Sequence, residues 1–415
     1  NTSRNVAAAI QAASDVAYSS ATSMKGASNV LIYSKLFPPS VDVGGLPATL
    51  KAGGEVLQEV LSGMMARDGV FIRREHDLSG LRFTTVTDDA RFARNEDMAD
   101  RLASILEMMN YVAGDIQKIV SEENKKFEAF LEAIPEADRA GARMQAQQPA
   151  FGSRLFNIYR QFLMASMTDL AAEQAIDALR ENKKPVIVLE NTMEAVLRDT
   201  VSGILGSGLD EDPEDDLSPA AAAAAMTGAT SVLLGADITF RTVLHRMAER
   251  LTTYKVRKGF SDWEVRTVES KEALQAVLNI KAMIDELPDL PASPLDVLRS
   301  RIEAAGFVVD ELSGRKLALR TEDGGEVFAV TREEKPKARI VQEFNSGVSD
   351  ALLLTLAGST GISLHASERF QDQRQRVMIE LQAANDVNKR VQFFGRVNRK
   401  GQVSSPEIRT LSTGL

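Results

Sequence analysis

Leu352-Leu353-Leu354-Thr355-Leu356-Ala357-Gly358-Ser359-Thr360-Gly361-Ile362-Ser363-Leu364 and Gln392-Phe393-Phe394-Gly395-Arg396-Val397-Asn398-Arg399-Lys400-Gly401-Gln402 are the two stretches on which the reading of this chain turns. The first is an apolar run of strand length that ends in two glycines and small hydroxyls. A run with no polar alternation is buried on both faces, the habit of a parallel strand. Ligands of open α/β sheets bind beyond the C-terminal ends of such strands, and glycine lets backbone N–H groups approach a phosphate closely. A tight turn between strand and helix is the competing reading of the same loop. In the second stretch Arg396 and Arg399 are three residues apart. One helical turn would put both guanidiniums on one side, with Gly395 removing bulk beside them. Planar, permanently charged forks suit phosphate oxygens. A solvated basic helix end would have the same composition.

The sequence before and between these stretches alternates in type. Pro288, Pro291 and Pro294 mark a boundary. After it the pattern predicts helices over 295–305, 340–344 and 386–394, and strands at 306–309, 316–320, 326–330, 351–356 and 377–381. Residues 185–190 form another continuous apolar run, feeding a helix over 193–199. Strands alternating with helices predict an α/β domain with a parallel sheet. Earlier in the chain the spacing predicts helices over 2–13, 55–67, 97–133, 154–181 and 236–287, the last with Trp263 inside it. Strands are expected at 16–20, 70–73 and 81–86. In 97–133, Met98, Leu102, Ile105, Met109, Val112, Ile116, Ile119 and Val120 form one apolar stripe, as a half-buried helix requires. Residues 202–219, Gly-rich and then acidic, read as a solvated loop.

Composition narrows the function. Hydrophobic residues make up 44% of the 415 and charged residues 26%, enough apolar mass for packed cores. The net charge of −9 excludes a wholly basic nucleic-acid binder. Within 331–415, however, there are 13 Lys+Arg against 9 Asp+Glu, a local excess that suits a polyanion partner. The absence of cysteine removes disulfides, zinc–thiolate sites, iron–sulfur clusters and thiol catalysis. His76, His245 and His365 are far apart, so no histidine-rich metal site is expected. With no membrane-length apolar segment and no signal peptide, the expectation is a soluble, cytoplasmic protein.

Taken together, a phosphate-facing Gly-Ser/Thr loop followed by Q-x-x-G-R-x-x-R resembles the end of superfamily 2 helicases. More closely, the chain resembles the strawberry notch family of helicase-like ATPases, above all its bacterial, phage and plasmid relatives, often fused to methyltransferases. Phe344-Asn345, Gly358 to Ala366, Asp372-Gln373-Arg374-Gln375-Arg376-Val377 and Gln392 to Gln402 carry the resemblance. Upstream, Tyr18 to Lys25 looks like the family's S-A-T motif, and Lys184 to Glu194 like the opening strand of a second RecA-like domain.

The resemblance implies a RecA-like fold of the P-loop NTPase type. Residues 1–95 would be the C-terminal part of a first RecA-like domain. Residues 183–201 and 295–415 would form the second, and 96–182 and 202–294 helical insertions. It implies ATP and Mg2+ as cofactors and nucleic acid, DNA before RNA, as partner, with a methyltransferase as a further domain or subunit. By the same resemblance Arg396 and Arg399 would be arginine fingers on the γ-phosphate, with Gln392 holding the nucleotide. Gly358, Ser359, Thr360, Gly361 and Ser363 would lie near its sugar-phosphate. Ser20, Ala21, Thr22 and Lys25 would couple hydrolysis to movement along the strand. Arg374 and Arg376 read equally as contact residues or as salt-bridged strand-edge residues.

The chain departs from the family pattern in one region. G-x-x-x-x-G-K-[ST] is absent, and the Asp-Glu pairs at 210, 285 and 310 lack the D-E-x-[HD] form. The phosphate cradle and the magnesium carboxylates are therefore expected upstream of Asn1. The expected function is the C-terminal portion of an ATP-dependent helicase or translocase. The alternative is a non-catalytic binding or assembly subunit with a degenerate helicase fold.

Overall fold

The computed structural model describes residues 2–18, 27–38, 40–70, 72, 78–136, 144–147, 151–204, 231–236, 238–258, 262–322, 325–332 and 335–415. Contacts divide the chain into two compact units, Asn1–Gly80 with Asp386–Gly395, and Leu81–Asn385 with Arg396–Leu415.

In the first unit, α1 (Thr2–Ala12) is followed by a 3-10 stretch, Ala27–Leu36, and by α2 (Leu46–Arg67). α2 starts with a proline in its first turn, where a missing N–H is harmless, and kinks at Gly54 (φ +63°). Val30, Leu50 and Met65 make a small core with Leu57 and Leu61 packed on it. The strand expected at 16–20 does not form at residues 16–18, and Val70 and Ile72 are exposed and outside any strand.

The second unit runs β1 (Arg82–Thr87), α3 (Phe92–Ala133), β2 (Met144–Gln147), α4 (Phe151–Ser166), α5 (Thr168–Arg180), β3 (Lys184–Leu189), α6 (Glu194–Ile204), β4 (Ser231–Ala236), α7 (Phe240–Leu251), β5 (Thr253–Lys258), β6 (Asp262–Thr267), α8 (Lys271–Asp285), α9 (Pro294–Ala304), β7 (Val309–Leu312), β8 (Leu317–Thr321), β9 (Glu326–Thr331), α10 (Lys337–Ser346), β10 (Ala351–Thr355), α11 (Leu356–Ser359), β11 (Arg376–Glu380), α12 (Val387–Val397) and β12 (Glu407–Ser412). The contact boundary passes through α12 between Gly395 and Arg396.

Six of these strands form an all-parallel sheet in the order β1-β12-β11-β3-β10-β7. β3, β10 and β11 are buried along their whole length, as the parallel habit of their apolar centres requires, with the charged ends Lys184, Arg376 and Glu380 buried as well. Ile187, Leu189, Leu353 and Ile379 turn to one face, where Ala171, Ala175 and Leu179 of α5 and Leu298 and Ile302 of α9 cover them. The predicted α/β architecture with a parallel sheet is therefore what forms. Among the described residues no helix is long and apolar enough to cross a membrane.

A second core lies between helices. The predicted stripe of α3 is buried from Met98 to Val120, with Ile119 partly so, against Phe240 and Leu244 of α7 and Val277 and Ile280 of α8. Three expectations are corrected. Residues 236–287 are not one helical region: β5 and β6 form a hairpin inside it that pairs with β2, and Trp263 lies on β6. β8 and β9 do not join the parallel sheet. Only four residues separate them in sequence, too few for a crossover, so they can only pair antiparallel, and they form a separate sheet with β4. Finally, β1 pairs with β12, so residues 81–95 join the unit of the large sheet rather than the residues before them.

Candidate functional site

β10 ends at Thr355, whose hydroxyl caps the single turn α11 by accepting from the Gly358 amide at 3.4 Å. Gly358 packs against the end of β7: a Cβ there would lie 2.2 Å from the Leu312 carbonyl oxygen. The Ser359 hydroxyl is buried and donates back to Leu356 O at 2.8 Å. The positions of these two residues, expected near the nucleotide, are fixed by packing and by backbone contacts. Thr360 and Gly361 are exposed and Ser363 half-buried. Gly361 has φ +73°, a left-handed conformation that glycine adopts without strain.

From Gly361 the chain turns toward the arginines. Arg396 Nη1 and Arg399 Nη2 both donate to the Ile362 carbonyl oxygen, at 3.4 and 2.9 Å, and the Leu364 amide donates to Arg396 O at 2.9 Å. The expected convergence of the two guanidiniums is present, but not by one helical turn: α12 stops at Val397 and Arg399 lies beyond it. The turn after the helix is braced by Gln402, whose amide accepts from Arg399 N at 3.0 Å and donates to Asn398 at 2.9 Å. Lys337, the first residue of α10, donates to Thr360 O beside them. The sequence reading missed it, because a lysine opening a helix has no spacing signature.

The electrostatics of this cluster are unfavourable to its own charges. Burial and the neighbouring Arg399 push the Arg396 guanidinium down from its ordinary value, and the buried Arg396 Nε makes no hydrogen bond. Burial and Arg396 likewise push Lys337 down. Burial, Arg399 and Arg376 lower His365, whose Nδ1 is 3.2 Å from the Ser363 hydroxyl. An anion placed here would relieve the repulsion.

A second charged cluster lies at the start of β3 and β11, where Lys184 and Arg376 are neighbours in register. Both are fully buried and stand over the Phe344 ring, 4.4 and 5.3 Å from its centroid. Lys184 donates to Phe344 O and to Asp372, which also receives Arg374 (2.7 Å) and Arg376 (3.3 Å). Burial opposes ionisation of Asp372, yet these cations hold its carboxyl below the usual range. Burial lowers Lys184 to about 8 and Arg376 to about 10. Arg374 and Arg376 therefore have the structural reading of the two kept open above. The Asp310-Glu311 pair is likewise structural. Glu311 is buried, and although burial opposes it, Arg315 and Arg332 hold its carboxyl at about 2.

Gln392 lies on α12 in the part that belongs to the first unit. Ser20, Ala21, Thr22 and Lys25 lie outside the described residues, as do Arg73 to His76 and the acidic loop from 205. Among the described residues no group of three or more His, Asp or Glu gathers to hold a metal ion.

The helicase C-terminal family model described as "C-terminal domain on Strawberry notch homologue" matches residues 293–415. The chain is 30% identical over 159 residues to Protein strawberry notch homolog 1 of Rattus norvegicus, which is 36% of this chain and 12% of that protein. It is 30% identical over 156 residues to Protein FORGETTER 1 of Arabidopsis thaliana, 35% of this chain and 12% of that protein. Protein strawberry notch homolog 2 of Mus musculus is 34% identical over 125 residues, 29% of this chain and 9% of that protein. The chain thus spans about an eighth or less of the length of these curated relatives. No solved structure matches.

Proposed function

From the premise that residues 293–415 are a strawberry notch-like C-terminal helicase domain, we propose that this chain supplies the phosphate-sensing half of an ATP-driven nucleic-acid translocase, acting on DNA. The observation that carries this reading is the pair of guanidiniums gathered on the Ile362 carbonyl, with Lys337 beside them and burial acting against the charges of Arg396 and Lys337. Such a cluster is pre-formed for a polyanionic group and loses repulsion when one arrives.

Arg396 and Arg399 would hold the terminal phosphate of ATP and stabilise charge that develops as it is transferred. Gln402 and the Leu364–Arg396 backbone bond fix the arginines' approach, so the geometry does not reorganise during the reaction. Because both arginines bond the segment that follows Gly361, a movement of the phosphate is transmitted directly to Ile362 and Ser363. Magnesium supplies charge neutralisation on the phosphates in such enzymes. The described residues of this chain do not gather the carboxylates for it.

The test is ATP hydrolysis by the whole protein that carries this chain, measured with and without DNA. Arg396→Ala and Arg399→Ala should each lower DNA-stimulated turnover by about 10³-fold or more, the loss seen when an arginine finger is removed. Turnover that stays at the parent level in both variants would overturn the assignment and favour a binding subunit.

A further inference from the structure

Beside the parallel sheet, α10, residues 361–363 and residues 369–371 line an open cavity of about 770 Å³. That is within the roughly 300–1,000 Å³ typical of small-ligand sites. Ala338, Val341, Ile362 and Phe370 give it apolar walls, and Lys337 and Arg369 are exposed cations beside it. Phe370 is half-buried, held edge-on to His365 with ring centroids 5.6 Å apart.

One polar group lining the cavity is left incomplete. Asn345 is 6% exposed, and its Nδ2 donates to Ser363 O at 3.0 Å. Its Oδ1 is buried without a hydrogen-bond partner. A buried acceptor left unpaired is unfavourable, so this cavity lacks a donor. The complement is a flat apolar body that presents an N–H donor and is joined to an anionic chain. A nucleobase with an exocyclic amino group on a nucleic-acid strand has all three properties. Thymine does not fit equally: its N–H lies between two carbonyls, and the Asn345 amide nitrogen that might meet one is already engaged.

We propose that this cavity receives an amino-bearing base, adenine, cytosine or guanine, turned out of a single strand, with Asn345 Oδ1 accepting from the amino group and Phe370 flanking the ring. The proposal rests on the reading above that the domain grips nucleic acid, and it assigns to it a base preference. Arg369, exposed at the edge of the cavity, would meet an adjoining phosphate.

The experiment is fluorescence-anisotropy titration of the full 415-residue chain with single-stranded oligonucleotides of dC, dT, dA, and dA with the amino group removed (purine). Expected is binding about tenfold tighter to dC than to dT, and to dA than to its amine-free analogue. Asn345→Leu should bring each pair to parity. Ala338→Phe, which fills the cavity from an exposed helix position, should do the same and decides the matter if Asn345→Leu does not fold. Salt-sensitive binding that is equal for all four oligonucleotides would overturn the base pocket and leave the translocase reading in place. Absence of binding to any of them would overturn both.

Discussion

Ile362 offers one carbonyl oxygen to two guanidiniums, and Asp372 offers one carboxylate to Lys184, Arg374 and Arg376. The two clusters are within one domain and have opposite characters. The first gathers positive charge around a neutral acceptor and is poised for an anion. The second is neutralised from within and holds strands in place. Spacing drew attention to Arg396 and Arg399, through Q-x-x-G-R-x-x-R, and the family resemblance to Arg374 and Arg376, but neither distinguished the two clusters. What separates them is the position of a carboxylate, and Asp372 meets Lys184 from 188 residues away. Asp372→Asn leaves that lysine buried and unpaired, so it should lower stability by about 3–5 kcal/mol at neutral pH. The folded-state pKa of Asp372 is below its unfolded value. Its contribution is therefore fully present above about pH 4 and is lost as pH falls toward the folded value. Urea unfolding of parent and variant should show midpoints far apart at neutral pH that converge in acid. Equal midpoints at neutral pH would show that the cluster contributes nothing.

Among the elements, α3 was the easiest to read and β5–β6 the hardest. Over α3 the 3.6-residue period is sustained from Met98 to Val120, long enough that no other structure buries the stripe. Ile105→Ala, at a fully buried position, should cost about 2–5 kcal/mol, while Tyr111→Ala, 72% exposed on the same helix, should stay within about 0.5 kcal/mol. Denaturant titration checks both, and similar losses would contradict the face assignment. In β5 and β6 the charged residues Lys255, Arg257, Glu264 and Arg266 are good helix formers, which hid a period of two in Tyr254–Val256 and Trp263–Val265. α11 shows the opposite limit. Four residues carry no periodicity, so the single turn was not legible, and neither was the close approach of Gly358 to the end of β7, 46 residues away in sequence.

For the whole molecule, the net charge misled until it was divided, because the basic excess of 331–415 coincides with the segment that bears the arginine cluster. The domain limits were less legible than the fold class. Helical insertions were expected where α3, α7 and α8 pack, but nothing in a strand's own residues states which sheet it joins, and β1 was placed with the wrong neighbours. That placement bears on how the chain comes to be folded. β1 leaves the ribosome before its partner strand β12, which is made more than three hundred residues later and lies between β1 and β11 in the finished sheet. Until β12 arrives, two rows of parallel-strand N–H and C=O groups stay open, and closure of so long a loop is slow and exposed to aggregation. A chain stopped at Ser405 should therefore keep its helical circular-dichroism signal while binding a hydrophobic dye and self-associating. A stopped chain that stays monomeric, with the parent's urea midpoint, would mean that β12 is not the strand that completes the sheet.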